Sequence, residues 1–135
     1  MKKITSIDLF AGVGGMRISL SKALKKKGFI DDCKLYSEIN VYSQQTYKEN
    51  FPETKLIEDI KSVDKKDINL LIPDHDILLA GFPCQPFSRA GISKRKNLKR
   101  AHGFDDKEQG DLFFNILNIL NIKKPKAFIL ENVQN

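Results

Sequence analysis

Ile4-Thr5-Ser6-Ile7-Asp8-Leu9-Phe10-Ala11-Gly12-Val13-Gly14-Gly15 decides the fold. Its first seven residues are rich in β-formers, and three glycines among the next five close the run. A strand entering a tight turn is the expected result. From Met16 to Lys27, apolar residues at Met16, Ile18, Leu20, Ala23 and Leu24 suit a helix. Lys25-Lys26-Lys27 fall in its last turn, where cations complement the helix dipole, and Gly28 lies just beyond.

Outward from that unit the alternation continues. Leu35-Tyr36-Ser37-Glu38 reads as a second strand, and Val41 to Asn50 as a helix halted before Pro52. Lys55-Leu56-Ile57 and Asp76-Ile77-Leu78-Leu79-Ala80 read as third and fourth strands. Phe82 to Gln109 has little apolar periodicity and reads as a long loop, a length that in compact domains usually serves function. Asp111 to Ile122 carries a helical apolar face, and Ala127-Phe128-Ile129-Leu130-Glu131 reads as a fifth strand. Strands alternating with helices predict an α/β fold with a Rossmann-like, doubly wound, mostly parallel sheet. Ligands of such sheets sit beyond the carboxyl ends of the strands. Asp8 to Phe10, Glu38, Asp59, Gly81 to Cys84 and Glu131 all fall at such ends.

The totals bound the function. One domain fits 135 residues, and 41% hydrophobic residues supply one core. A charged fraction of 30%, with no long apolar run and no secretory signal, predicts a cytoplasmic protein without a membrane span. Cys33 and Cys84 make neither a disulfide framework nor a metal site, and His75 and His102 lack ligand spacing, so no metal is expected. A net charge of +6 permits a polyanionic partner without requiring one.

Each strand end then has a chemical reading. The glycine turn lets backbone approach a ligand and aims helix N–H groups at it, although a turn without a ligand has the same form. Arg17 stands where the dinucleotide fingerprint needs its third glycine, so a nucleotide-like ligand without a pyrophosphate fits better than NAD. Glu38 is placed for ribose hydroxyls, or is an ordinary solvated glutamate. Asp59 could bond an adenine amino group or cap a turn. In Pro83-Cys84-Gln85-Pro86 two prolines stiffen the backbone around a thiol at a strand end, which favours a nucleophile over a core residue. Cys33 has no such setting and reads as core. The basic run Lys94, Arg95, Lys96, Lys99 and Arg100 is either solvated or set to neutralise phosphates. Glu131 is a candidate acid.

Asp8-Leu9-Phe10-Ala11-Gly12-Val13-Gly14-Gly15, Gly81-Phe82-Pro83-Cys84-Gln85-Pro86-Phe87-Ser88 and Glu131-Asn132-Val133 resemble three signature blocks of the DNA cytosine-5 methyltransferases, in the family's order and at compatible spacing. Gly110-Asp111-Leu112-Phe113-Phe114 resembles a fourth. The resemblance implies an S-adenosylmethionine-dependent methyltransferase fold, here incomplete at the C-terminus and lacking the target-recognition region. It implies that Phe10, Ala11, Gly12, Gly14, Gly15 and Pro83 line the S-adenosylmethionine pocket. Glu38 would hold the ribose, Ile39, Asp59 and Ile60 would meet the adenine, and Leu112 would border the methionine end. Cys84 would be the nucleophile and Glu131 would contact the target cytosine. Gln85, Ser88, Arg89 and the basic run from Lys94 to Arg100 would engage DNA.

The implied partner is double-stranded DNA in a bacterial nucleoid, with a C-terminal methyltransferase half or a restriction endonuclease system as further candidates. The 135 residues alone are expected to be inactive or nearly so, as a natural half of a split enzyme, a truncated reading frame or a fragment. Two alternatives stand beside this reading. One is an RNA cytosine-5 methyltransferase with the same chemistry; the other is a non-catalytic subunit that binds cofactor or a partner.

Overall fold

The computed structural model describes residues 1–83 and 107–132. Five strands, β1 (Lys2–Leu9), β2 (Phe29–Ser37), β3 (Lys55–Ile57), β4 (Ile77–Gly81) and β5 (Ala127–Glu131), form one sheet in the order β3-β2-β1-β4-β5. Every pairing is parallel. Helix α1 (Gly15–Lys26) joins β1 to β2, and α2 (Val41–Asn50) joins β2 to β3. Two 3-10 turns (Ile60–Ser62 and Lys65–Asp67) and the short α3 (Ile68–Leu71) precede β4, and α4 (Lys107–Lys123) precedes β5. The order reverses between β1 and β4, which makes their carboxyl ends the switch point where doubly wound sheets take ligands.

Strand alternation separates two faces. Ile7, Leu9, Leu35, Leu78 and Ala80 are buried against Ile116 and Ile119 of α4 and against Ile60, Val63, Ile68 and Ile72. The opposite face carries buried Ser6, Asp8 and Tyr36. There Tyr36 stacks on Tyr47 of α2 with ring centroids 3.8 Å apart. At the amino ends of the strands, the Thr5 N–H and hydroxyl both donate to Asp76 Oδ2, at 2.9 and 2.8 Å. Lys126 Nζ donates to Asp76 Oδ1 at 2.6 Å, so one carboxylate ties together β1, β4 and β5.

The expected alternation of elements is observed, with shifted bounds. β2 begins at Phe29 rather than Leu35, because its two aspartates are satisfied within the sheet region: Ser6 and Ser21 hydroxyls donate to Asp31, and Lys34 to Asp32. α4 begins at Lys107, inside the stretch read as loop.

Gly14 shows why the first turn needs its glycines. It has φ 95°, and a Cβ there would lie 3.0 Å from the Phe51 ring and 3.2 Å from the Tyr47 ring. Gly14→Ala combines left-handed strain with a clash and is expected to cost about 2 kcal/mol, lowering Tm by roughly 5–10 °C. Gly15→Ala, where a Cβ meets nothing within 4 Å, is the control and should leave Tm nearly unchanged in the same thermal melts.

Candidate active site

A cavity of about 320 Å³ opens at the carboxyl edge of the sheet. Phe10 follows β1; Ser37 ends β2, with Glu38 and Ile39 just beyond it; Glu58, Asp59, Ile60 and Lys61 follow β3. Gly81 at the end of β4 and Pro83 just past it, with Leu112 of α4, complete the lining. Its volume lies within the range of small-molecule sites, and an apolar lining with a few polar groups suits such a ligand.

Glu38 is the most fixed of these side chains. Its Oε2 accepts from the Gly12 N–H at 2.7 Å and its Oε1 from the Asn40 N–H at 2.8 Å. Gln44 Nε2 donates to the Glu38 carbonyl at 2.6 Å. The carboxylate therefore bridges the glycine turn and the start of α2, where Asn40 caps the helix by accepting from the Ser43 N–H. Asp59 Oδ1 accepts from the Lys61 N–H at 2.9 Å, a turn-capping bond that fixes the adjacent cavity wall.

Backbone geometry at the first turn fits close approach by a ligand. Phe10 has φ 54°, a left-handed conformation rare for a side chain of its size and typical of strained functional turns. Gly12 also has φ 54°, and a Cβ built there meets nothing within 4 Å, so space above the turn is open. The Ala11 N–H donates to the Ser37 carbonyl at 3.0 Å, joining this turn to the end of β2. Gly14 packs on the Tyr47 and Phe51 rings, and Gly15 borders a groove on the α1 side of the sheet; neither lines the cavity.

Glu131 stands beside Gly81 at the paired ends of β4 and β5. A Cβ at Gly81 would lie 3.6 Å from Glu131 Oε2, an ordinary contact distance that places this carboxylate directly against the end of β4. Asn132 Nδ2 makes long contacts to the carbonyls of Phe82 (3.5 Å) and Pro83 (3.4 Å), holding the exits of the two strands together.

Of the residues singled out in the sequence, Phe10, Glu38, Ile39, Asp59, Ile60, Pro83 and Leu112 share the cavity, Gly12 bonds to its wall and Glu131 lies at its β4–β5 side. Cys84, Gln85, Ser88, Arg89, Lys94, Arg95, Lys96, Lys99 and Arg100 lie outside the described residues. Ser37, Glu58 and Lys61 line the cavity without having been anticipated; their strand-end positions were the available signal. Among the described residues no cluster of acids, histidines or cysteines could hold a metal ion, and no helix is long and apolar enough to cross a membrane.

A family model described as C-5 cytosine-specific DNA methylase matches residues 4–135. The chain is 43% identical to a DNA-cytosine methyltransferase of Escherichia coli K12, over 96% of its own length and 29% of that protein. It is 48% identical to the Type II methyltransferase M.HaeII of Haemophilus aegyptius, over 99% of its own length and 36% of that protein. Among solved structures it is similar to the S. pombe Dnmt2 methyltransferase, with TM-score 0.66 and 25% identity, covering 98% of the chain and 35% of that structure. The Spodoptera frugiperda DNMT2 structure gives TM-score 0.64 and 26% identity, with 98% and 36% covered. The chain thus spans about a third of the length of the curated relatives it matches.

Proposed function

We propose that this chain, which belongs to the C-5 cytosine-specific DNA methylase family, supplies the S-adenosylmethionine pocket and the nucleophile of an enzyme that methylates C5 of cytosine in DNA. The observation that carries the reading is the cavity at the sheet's switch point, with Glu38 clamped across its floor.

The residues present fit the cofactor. Open space over Gly12 admits a ligand against the backbone, where any side chain would intrude. Glu38 offers carboxylate lone pairs to ribose hydroxyls, as acids after the second strand do in nucleotide-binding sheets. Phe10, Ile39, Ile60 and Leu112 give apolar surface for an adenine, and Asp59 stands among them with a carboxylate for its amino group. When bound, S-adenosylmethionine supplies an electrophilic methyl group carried on a sulfonium.

The chain's own side chains must then make cytosine reactive, because C5 of the neutral ring is a poor nucleophile. Cys84 adds as thiolate to C6, which raises electron density at C5. Glu131 shares a proton with ring N3 and so stabilises the charge that develops there. After methylation, loss of the C5 proton expels the thiolate and restores the ring. A stacked base cannot be reached in this way, so the target cytosine is flipped out of the duplex. Arg89, Lys94, Arg95, Lys96, Lys99 and Arg100 supply cations for the phosphates, and Gln85 and Ser88, which follow the nucleophile in the sequence, are assigned to the DNA as well.

The test is transfer of a labelled methyl group from S-adenosylmethionine to DNA by the chain mixed with the remaining portion of a relative, with RNA of equal cytosine content as competitor. Label in DNA supports the reading, whereas label confined to RNA would replace the substrate. Glu38→Gln is expected to weaken cofactor binding roughly tenfold in equilibrium dialysis, since it removes a charged acceptor and unsettles the Gly12 and Asn40 N–H groups. Unchanged affinity would remove Glu38 from the cofactor site.

A further inference from the structure

Behind the glycine turn lies a buried polar cluster that the proposed reaction does not use. Asp8 is 1% exposed, and the fully buried Tyr47 donates its hydroxyl to Asp8 Oδ2 at 3.2 Å. Arg17 Nη1 donates to the Tyr47 hydroxyl at 3.3 Å and to Thr54 Oγ1 at 2.8 Å. The Arg17 guanidinium lies 3.8 Å from the centroid of the Phe51 ring, and its Nε faces Asp31 Oδ2 at 3.8 Å. Cys33 Sγ is 3.9 Å from the Tyr47 hydroxyl. Asp8 Oδ1 and Arg17 Nε are buried with no hydrogen-bond partner among the described residues.

These side chains join the elements that carry the cavity. Asp8 precedes Phe10 in the first turn by two residues. Arg17 stands in the first turn of α1, whose Gly14 rests on the Tyr47 and Phe51 rings. Tyr47 belongs to α2, whose start is bonded to Glu38. The turns at Phe10–Gly12 and Ser37–Ile39 are thus tied at the cavity by Glu38 and behind it by Asp8, Tyr47 and Arg17.

Stability does not account for an acid at this position. Burial pushes the Asp8 carboxyl up to about 7; the Tyr47 hydrogen bond and Arg17 oppose the rise, while Asp31 and Glu38 add to it. Because the folded value is raised, stability is greatest below the ordinary carboxylate range and falls as pH rises through about 7. At neutral pH and above, Asp8 therefore costs stability that a neutral residue of the same shape would retain.

We infer that Asp8 and Tyr47, with Arg17, are positioning residues for the cationic nucleoside ligand assigned above, holding the two cavity turns at their binding separation; the inference rests on that reading of the cavity. Ionised Asp8 draws the Tyr47 hydroxyl and Arg17 together and places negative potential behind a site whose ligand carries a sulfonium. Protonated Asp8 accepts from Tyr47 only as a weaker neutral acceptor and supplies no negative potential. The groups that face it are Arg17 from α1, Tyr47 from α2, Asp31 and Cys33 from β2, and Glu38 past the end of β2.

The experiment is S-adenosylmethionine affinity by calorimetry between pH 5.5 and 8.5 on the full 135-residue chain, with Tyr47→Phe and Asp8→Asn, and amide exchange at Gly12 and Gly14 without ligand. Wild-type affinity is expected to be roughly tenfold weaker at pH 6 than at pH 8. Tyr47→Phe, which keeps the ring stack, should weaken binding about tenfold and speed exchange at both glycines. Asp8→Asn should flatten the pH profile while melting no lower than wild type at pH 8. A Tyr47→Phe chain with wild-type affinity, pH profile and exchange overturns the inference even if it melts lower, and leaves the reading of the cavity intact. A wild-type chain that takes up no S-adenosylmethionine at any pH overturns that reading, and the role assigned to the linkage falls with it.

Discussion

Mixed with the portion of a relative that the match leaves uncovered, the chain is expected to methylate DNA at least roughly a hundredfold faster than the 135 residues alone. The physical reason lies at β5. Among the described residues it is an edge strand of the sheet, with one row of its backbone N–H and C=O groups facing no described strand. Each of its faces carries an exposed apolar side chain, Phe128 at 56% and Ile129 at 49%. Next to it, Met16, Leu20, Ala23, Leu79 and Ile129 line an apolar groove of about 350 Å³ on the α1 side. An apolar edge of that composition suits a covering segment. The relatives, of which the chain covers 29% and 36%, have the length to provide it. Glu131 ends this same strand, so a segment packed on β5 would add support beside its carboxylate. The check is labelled methyl transfer by each part and by the mixture, with amide exchange on Phe128 and Ile129. Slower exchange there together with transfer in the mixture is expected. Robust turnover by the chain alone would show that the open edge is no obstacle to catalysis.

Much of this architecture was legible in the sequence, for reasons that differ between elements. β1, β4 and β5 are short β-rich runs bounded by glycine or a strand-end acid, and their hydrophobic residues face a core on at least one side. The first half of β2 was not legible, because Asp31 and Asp32 look like turn residues until Ser6, Ser21, Lys34 and Lys3 are seen to satisfy them. The start of α4 was hidden by Gly110, a poor helix residue that helical context overrides there. Within the site, residues at strand ends could be placed because the ligand edge of a doubly wound sheet follows from topology alone. The partnership of Asp8, Arg17 and Tyr47 could not, since it depends on how α1 and α2 lie on one face. The only local hint was Arg17 itself, a charged residue standing where a dinucleotide fold has glycine.

Cys84→Ser is expected to lower methyl transfer by on the order of 10³-fold or more while leaving S-adenosylmethionine affinity within about twofold. A thiol with an ordinary pKa near 8.5 is a few per cent thiolate at neutral pH, and the anion is strongly nucleophilic towards a soft, electron-poor carbon. A serine hydroxyl at the same place is almost wholly protonated, so addition at C6 loses both its population of anion and its reactivity. The cofactor cavity, by contrast, is lined by Pro83 and Gly81 on this side, and neither is altered. The two readouts therefore part company: a variant that binds but does not transfer assigns Cys84 to the chemical step. The measurement is single-turnover transfer in the complemented mixture beside equilibrium dialysis of the chain. Glu131→Gln belongs in the same series. It keeps the size of the side chain next to Gly81 but cannot share a proton with ring N3, so a loss of roughly 10²-fold is expected, as for removal of a general acid. Equal transfer by wild type and Cys84→Ser would rule out covalent catalysis through this thiol. No transfer in any mixture, with the chain folded, would instead make the non-catalytic subunit the better account.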